Sequence, residues 1–279
     1  QYMSALKNTG VNRVSIGVQS FDDEKLLFLN RIHDSQQACQ AVDETRKARF
    51  DNISLDLIYG LPFEDKCRWE RDIQKAVQKE PLHLSCYMLT IEPGTPLHRQ
   101  QEKRMIPPVD EKMRSELFQE TVQKLNRSGF EHYEISNFAK GRTFRSRHNS
   151  RYWQMTPYLG FGPSAHSFDG NQRSWNHPDI VTYIQEIKAG QEPVNGSEIL
   201  TTAQKKLETI MLSLRTREGI CLNTYHSRFS TRFEDEFSTI IKKVAAQSFG
   251  SVSGERFSLT FTGKCHLDSI VEAFADQIV

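Results

Sequence analysis

In the first half of the chain, short runs that alternate apolar and polar residues are separated by stretches with helical spacing. Arg13–Gln19 and segments 53–59 and 82–89 read as strands, and Ala38, Ala41, Val42 and Thr45 recur at i, i+3, i+4 and i+7 between the first two. Tyr2–Asn8 reads as the last turns of a helix, closed by Gly10. Met113, Leu117, Phe118, Val122 and Leu125 mark another helix, Gly129 ends it, and 131–135 makes a short fourth strand. Strand and helix alternating at this spacing predict βα units and a parallel sheet, an α/β fold.

The two faces of these strands differ. Val14, Ile16 and Val18 oppose Arg13, Ser15, Gly17 and Gln19; Ile53, Leu55 and Leu57 oppose Ser54, Asp56 and Ile58; Leu82, Leu84, Cys86 and Met88 oppose His83, Ser85 and Tyr87. Parallel strands covered on both sides normally read as unbroken apolar runs. A face that is repeatedly polar predicts an open or partial barrel, with aliphatics under the helices and polar groups around a ligand-filled lumen. The alternative is an ordinary sheet with one solvated face.

After Ile135 the pattern turns irregular and rich in Gly, Arg, His and aromatics through Ser174. A short helix is expected over 179–189, and a linker over 190–197, which holds Pro193 and Gly196. Beyond it, Leu207, Ile210, Met211 and Leu214 predict an amphipathic helix, Phe257, Leu259 and Phe261 a strand, and Leu267, Ile270, Val271 and Phe274 a last helix. That succession suggests a small winged-helix-like domain.

Composition narrows the function classes. The 279 residues suffice for one barrel-type domain or two ordinary ones. Lys+Arg (36) and Asp+Glu (35) nearly cancel, which gives no basis for nucleic acid or anionic lipid as a partner. No apolar run is long enough to span a bilayer. The five cysteines are scattered, with neither zinc spacing nor a disulfide framework, which points to a reducing compartment such as the cytoplasm. Nor are they grouped as a four-iron–four-sulfur cluster requires. A chain that begins with Gln1 at the end of a helix is expected to be a fragment of a longer protein.

Two sets of residues could carry chemistry. Gln19, Asp56 and Tyr87 lie on the polar strand face, and Arg31 follows the first strand. A carboxylate between Leu55 and Leu57 must be paired or hydrogen-bonded. Asp56 therefore reads either as a structural ion pair or as an anchor for a ligand's hydroxyl or amino groups. Arg31 alone reads as a solvated helix charge. The second set is His148, Asn149, Tyr152 and Trp153. An imidazole beside an amide and two large aromatics can ligate haem iron and pack a porphyrin face; a surface loop with a buried Trp suits the spacing more readily. Segment 160–167 is glycine-rich without being a phosphate loop or dinucleotide fingerprint, and no Gly-x-Ser-x-Gly elbow is present.

Taken in order, these strings resemble a known family. Val11-Asn12-Arg13-Val14-Ser15-Ile16-Gly17-Val18-Gln19-Ser20-Phe21, Arg31-Ile32-His33, Asp56-Leu57-Ile58-Tyr59-Gly60-Leu61-Pro62 and Ile91-Glu92-Pro93-Gly94-Thr95 are similar to motifs of the radical S-adenosylmethionine group that holds HemW and the oxygen-independent coproporphyrinogen III oxidases. Tyr133 to Ala139, Gly160 to Phe168, Arg217-Glu218-Gly219-Ile220 and Leu259-Thr260-Phe261-Thr262-Gly263 continue the resemblance. It implies a partial (β/α) barrel of radical S-adenosylmethionine type over 1–195, carrying a haem-motif loop, and a HemN-type C-terminal domain over 196–279. It also implies that Gln19, Arg31 and Asp56 contact S-adenosylmethionine. His148, Asn149, Tyr152 and Trp153 match the His-Asn-x-x-Tyr-Trp haem motif of the HemW branch, with His148 as candidate iron ligand.

The implied function is a haem chaperone serving apoproteins in the cytoplasm, or in the mitochondrion of a eukaryote. An oxygen-independent coproporphyrinogen oxidase and a degenerate non-catalytic relative are the alternatives. The family's Cys-x-x-x-Cys-x-x-Cys loop, which holds its 4Fe-4S cluster, is absent from these residues. The chain as given is therefore not expected to cleave S-adenosylmethionine reductively.

Overall fold

The computed structural model describes residues 2–107 and 110–278, in two compact units, Gln1–Arg145 and Ser146–Val279. In the first unit β1 (Arg13–Gln19), β2 (Asn52–Tyr59) and β3 (His83–Met88) are parallel neighbours. Helices α1 (Tyr2–Asn8), α2 (Asp23–Phe28), α3 (Ser35–Lys47), α4 (Lys66–Gln78), α5 (Pro96–Glu102) and α6 (Glu111–Arg127) lie between and around them in sequence. Gly10 has φ +94°, as the close of α1 requires.

The sequence expectation of an α/β fold holds, with one correction. The fourth expected strand, β4 (Glu131–Glu134), does not join β3; it turns back into β5 (Asn137–Ala139), which pairs antiparallel with β3. The sheet is therefore mixed, in the order β1-β2-β3-β5-β4. A connection of two residues permits only a hairpin, because a parallel return needs a long crossover.

The expected aliphatic face forms the core. Val18, Ile53, Leu55, Leu57, Leu84 and Cys86 are buried, as are Ala38 and Val42 of α3, Trp69, Ile73 and Ala76 of α4 and Leu117 and Leu125 of α6. Asp34 closes a capping box on α3 with Gln37, and Asp65 caps α4 through the Arg68 amide, so both helices start where local chemistry places them.

The second unit opens with α7 (Arg147–Trp153), followed by a three-stranded antiparallel sheet, β6 (His166–Phe168), β7 (Gln172–Asn176) and β8 (Val194–Ile199), with α8 (Ile180–Lys188) between the last two. The linker expected over 190–197 is thus partly a strand. Its side chains are mostly exposed and show no period, so pairing with β7 makes it a strand. The 148–153 segment, expected as a loop, is helical and starts at a Ser146 N-cap.

Downstream, α9 (Thr202–Arg215), β9 (Ile220–Cys221), α10 (Leu222–Phe229), α11 (Phe233–Glu236), α12 (Ser238–Ala246) and the hairpin β10 (Gly250–Ser253) and β11 (Arg256–Leu259) follow the helix–strand–helix–hairpin order of a winged-helix-like module. Two short helices, α13 (Phe261–Cys265) and α14 (Leu267–Ile278), close it. Phe233, Phe237, Phe257 and Phe274 are fully buried in a cluster of ring contacts with Tyr225. Phe261 corrects the strand expectation: Thr260 caps the Gly263 amide and turns the chain into a helix. On α9, Ile210 and Leu214 are buried, whereas Met211 is largely exposed.

Candidate functional site

The polar strand face carries two groups of hydrogen bonds. Asp56 accepts from the Ser15 hydroxyl at 3.1 and 3.2 Å through its two oxygens. Ser85 stands opposite it on β3. Burial pushes the Asp56 carboxyl above its ordinary value, while the hydroxyls of Ser85 and Ser15 and the charge of Arg13 pull it partly back. Two residues back on the same face, Ser54 meets His83 Nδ1 at 2.7 Å, and His83 Nε2 meets the Tyr133 hydroxyl at 2.8 Å. Burial, reinforced by the charge of Arg13, lowers the His83 pKa to about 3, so this imidazole stays neutral. Tyr87 is raised, first by burial and then, against a lowering hydrogen bond from Ser85, by the carboxylate of Asp56.

Gln19 ends β1 in the left-handed region, with φ 65°, where the β1–β2 register shifts. Its amide folds back over Gly17: a Cβ there would stand 2.6 Å from Gln19 Nε2, so only glycine leaves the space. Gly17 and Ser15 are two residues apart and share a face, which brings Gln19 toward the Asp56 side of the sheet. Arg31 lies just past α2 with an exposed side chain and no side-chain bond among the described residues. His33, two residues on, approaches the Val18 carbonyl at 3.1 Å.

Under the strand ends lies a buried cluster that the sequence reading did not single out. Lys25 is fully buried and bonds Glu64 and, at 2.9 Å, Asp72. Asp72 accepts from the Ser20 hydroxyl and the Phe21 amide, both at 2.7 Å, while Glu64 accepts from the amides of Gly60 and Leu61. The triad thereby ties the segments after β1 and β2 to α2 and α4. In the string Asp22-Asp23-Glu24-Lys25, Lys25 looks like a solvated helix charge; only its place at i+3 from Asp22, ahead of Leu26, hinted at an inward face. Glu64 also lines a cavity of about 160 Å³ with Gly60, Leu61, Pro62, Asp110, Met113, Arg114 and Leu117.

The second expected set lies in the other unit. On α7, His148 and Tyr152 form one i, i+4 stripe, with ring centroids 4.9 Å apart and edge-on. Tyr152 meets Tyr158 at 4.8 Å, and Tyr158 packs on the small core of Met155, Phe168 and Leu200. His148 itself is exposed. Asn149 and Trp153 form the neighbouring stripe. The Trp153 ring lies under the Arg215 guanidinium of α9 at 4.9 Å, and its buried Nε1 has no acceptor among the described residues.

These residues fit particular groups. A half-buried, hydroxyl-bonded carboxylate at Asp56 suits the hydroxyl and ammonium groups of S-adenosylmethionine. An accessible imidazole braced by a Tyr edge suits a porphyrin iron. Among the described residues the five cysteines are free, Cys86 is buried with its thiol pushed up by burial, and no three His, Cys, Asp or Glu residues are grouped to hold a metal.

The α/β sheet with its winged-helix-like companion defines the class of protein. Residues 1–76 match the Radical SAM superfamily model and residues 200–265 the HemN C-terminal domain. The fold is similar to that of coproporphyrinogen III oxidase (HemN) from Escherichia coli, with a TM-score of 0.77 at 20% identity, over 98% of this chain and 66% of that one. The heme chaperone HemW of Bacillus subtilis is 30% identical over 99% of this chain and 73% of its own length, and HemW of Mycobacterium tuberculosis 31% identical over 97% and 67%. The bovine radical S-adenosyl methionine domain-containing protein 1, mitochondrial, is 39% identical over 78% of this chain and 51% of its own length. The chain belongs to the HemW family of radical S-adenosylmethionine proteins. It spans between about half and three-quarters of the length of these relatives.

Proposed function

We propose that this chain is a haem chaperone, which binds haem on α7 and passes it to haem-requiring apoproteins. In this reading Gln19, Arg31 and Asp56 contact S-adenosylmethionine, and the radical S-adenosylmethionine scaffold is a support or regulatory site. His148 supplies the axial nitrogen, Tyr152 and Trp153 pack near the porphyrin, and Asn149 completes the haem motif. The functional domains are 1–195 and 196–279. The compartment is one that keeps thiols reduced: the cytoplasm, or the mitochondrion as in the bovine relative's name. No helix among the described residues is long and apolar enough to cross a membrane.

The observation that carries the reading is the exposed His148 braced by half-buried Tyr152, in a family with bacterial relatives named heme chaperones. Haemin titrated into the chain should give a Soret band that depends on one imidazole. His148→Ala should shift that band and weaken binding at least tenfold, about 1.4 kcal/mol, whereas His166→Ala and His177→Ala should not. An unchanged band and affinity in His148→Ala would remove the reading.

A further inference from the structure

Among the described residues, no acidic side chain pairs with the cations beside His148. Between Glu134 and Asp169 the sequence contains no acidic residue, while Arg147 and Arg151 stand at i, i+4 on α7. Both are exposed, and neither guanidinium makes an ion pair or side-chain hydrogen bond among the described residues. Other arginines of the same unit are paired: Arg173 holds Glu208 at 2.8 Å and Glu198 at 3.2 Å, and Arg232 lies within 4 Å of Glu234. Each free arginine directly precedes a residue of the aromatic stripe, Arg147 before His148 and Arg151 before Tyr152. Successive helical residues are about 100° apart, so the cations border the stripe along its length. Guanidinium is the side chain best matched to carboxylate geometry.

We infer that Arg147 and Arg151 bind the carboxylates of the porphyrin, so that the α7 site selects a planar macrocycle with propionates at one edge over an uncharged one. The inference rests on the haem reading of His148 and adds the ligand class: an anionic metalloporphyrin, held by iron at the imidazole and by its acid groups at the two arginines. Both cations sit in solvent, so the attraction is moderate and screened by salt.

The test compares haemin with its dimethyl ester, in the same dilute non-ionic detergent, on the full chain and three variants. Arg147→Gln/Arg151→Gln should weaken haemin about tenfold with the Soret maximum unmoved, and should leave the ester's affinity unchanged. Lys243→Gln, which removes an exposed charge from α12, should change neither. Added salt should weaken haemin binding to the parent chain and affect the double variant little. Equal weakening of haemin and ester, or no weakening of haemin, overturns the carboxylate role while leaving the iron ligand in place. A Soret band indifferent to His148→Ala overturns the haem reading, and this inference with it.

Discussion

Asp56 and His83 occupy one face of one sheet, yet burial acts on them in opposite directions. It raises the acid and lowers the base, because in both cases the charged form is the one that loses water. For His83 the folded pKa, about 3, lies below its ordinary 6.5. Between those values the unfolded chain binds the extra proton, so stability falls as pH drops from about 6.5 toward 3. For Asp56 the folded state holds the proton more tightly, so stability falls as pH rises through the range just above 3.8. His83→Gln keeps a polar group beside Ser54 but cannot titrate. Urea unfolding of this variant and the parent between pH 4 and 7 should show the variant gaining on the parent by about 1–3 kcal/mol toward the acid end. A difference that is flat with pH would mean His83 is not buried neutral. The polar face was legible because strand side chains alternate strictly. Ser15, Ser85 and His83 were all on it, although their bonds to Asp56 and Tyr133 join different strands and no single segment contains them.

At the scale of elements, local signals worked where a segment carries its own apolar spacing or cap, whether or not the stripe is buried. The helix expected over 179–189 is α8, capped by Asp179 and ending at Ala189, and α9 and α14 follow their apolar spacing. Local signals failed for β8, whose sequence Val-Asn-Gly-Ser-Glu-Ile has turn composition. Its partner decides it. Trp175 of β7 lies across Gly196, where a Cβ would stand 2.6 Å from the indole. The glycine read as a linker signal is a packing requirement. Gly196→Val should therefore displace Trp175 and cost about 1–3 kcal/mol by overpacking, with amide exchange in β7 and β8 accelerated ahead of the Phe233–Phe274 core. A variant as stable as the parent would mean that the indole moves freely. The 148–153 motif has a similar history: read as a loop, it becomes informative as a helix, where i, i+4 spacing separates His148 and Tyr152 from Asn149 and Trp153.

For the whole molecule, the buried Lys25 triad shows how distant segments are tied together within the first unit. Removing one member of such a cluster leaves uncompensated charge in a dry site, and typically costs about 3–5 kcal/mol. Lys25→Met should do so, because Glu64 and Asp72 stay in place with only backbone and hydroxyl donors. Hydrogen exchange should show β1 and β2 losing protection while the phenylalanine core of the second unit keeps its own. Combining Lys25→Met with Glu64→Gln and Asp72→Asn should recover part of the loss, which a purely steric role for Lys25 would not allow.

The sequence alone determined the α/β class, the two faces of the parallel strands, the helices with a clear apolar period, and the family. Each of these depends on periodicities and short motifs carried within a segment, since hydrogen bonding and side-chain direction repeat locally. The tertiary structure decided the antiparallel insertion of β5, the strand character of 194–199, the burial of Lys25 with its two acids, and which of the motif residues on α7 reach solvent. Those outcomes depend on which surfaces meet: an edge becomes a strand only beside a partner, and a lysine becomes a buried ion only when carboxylates from separate segments converge on it.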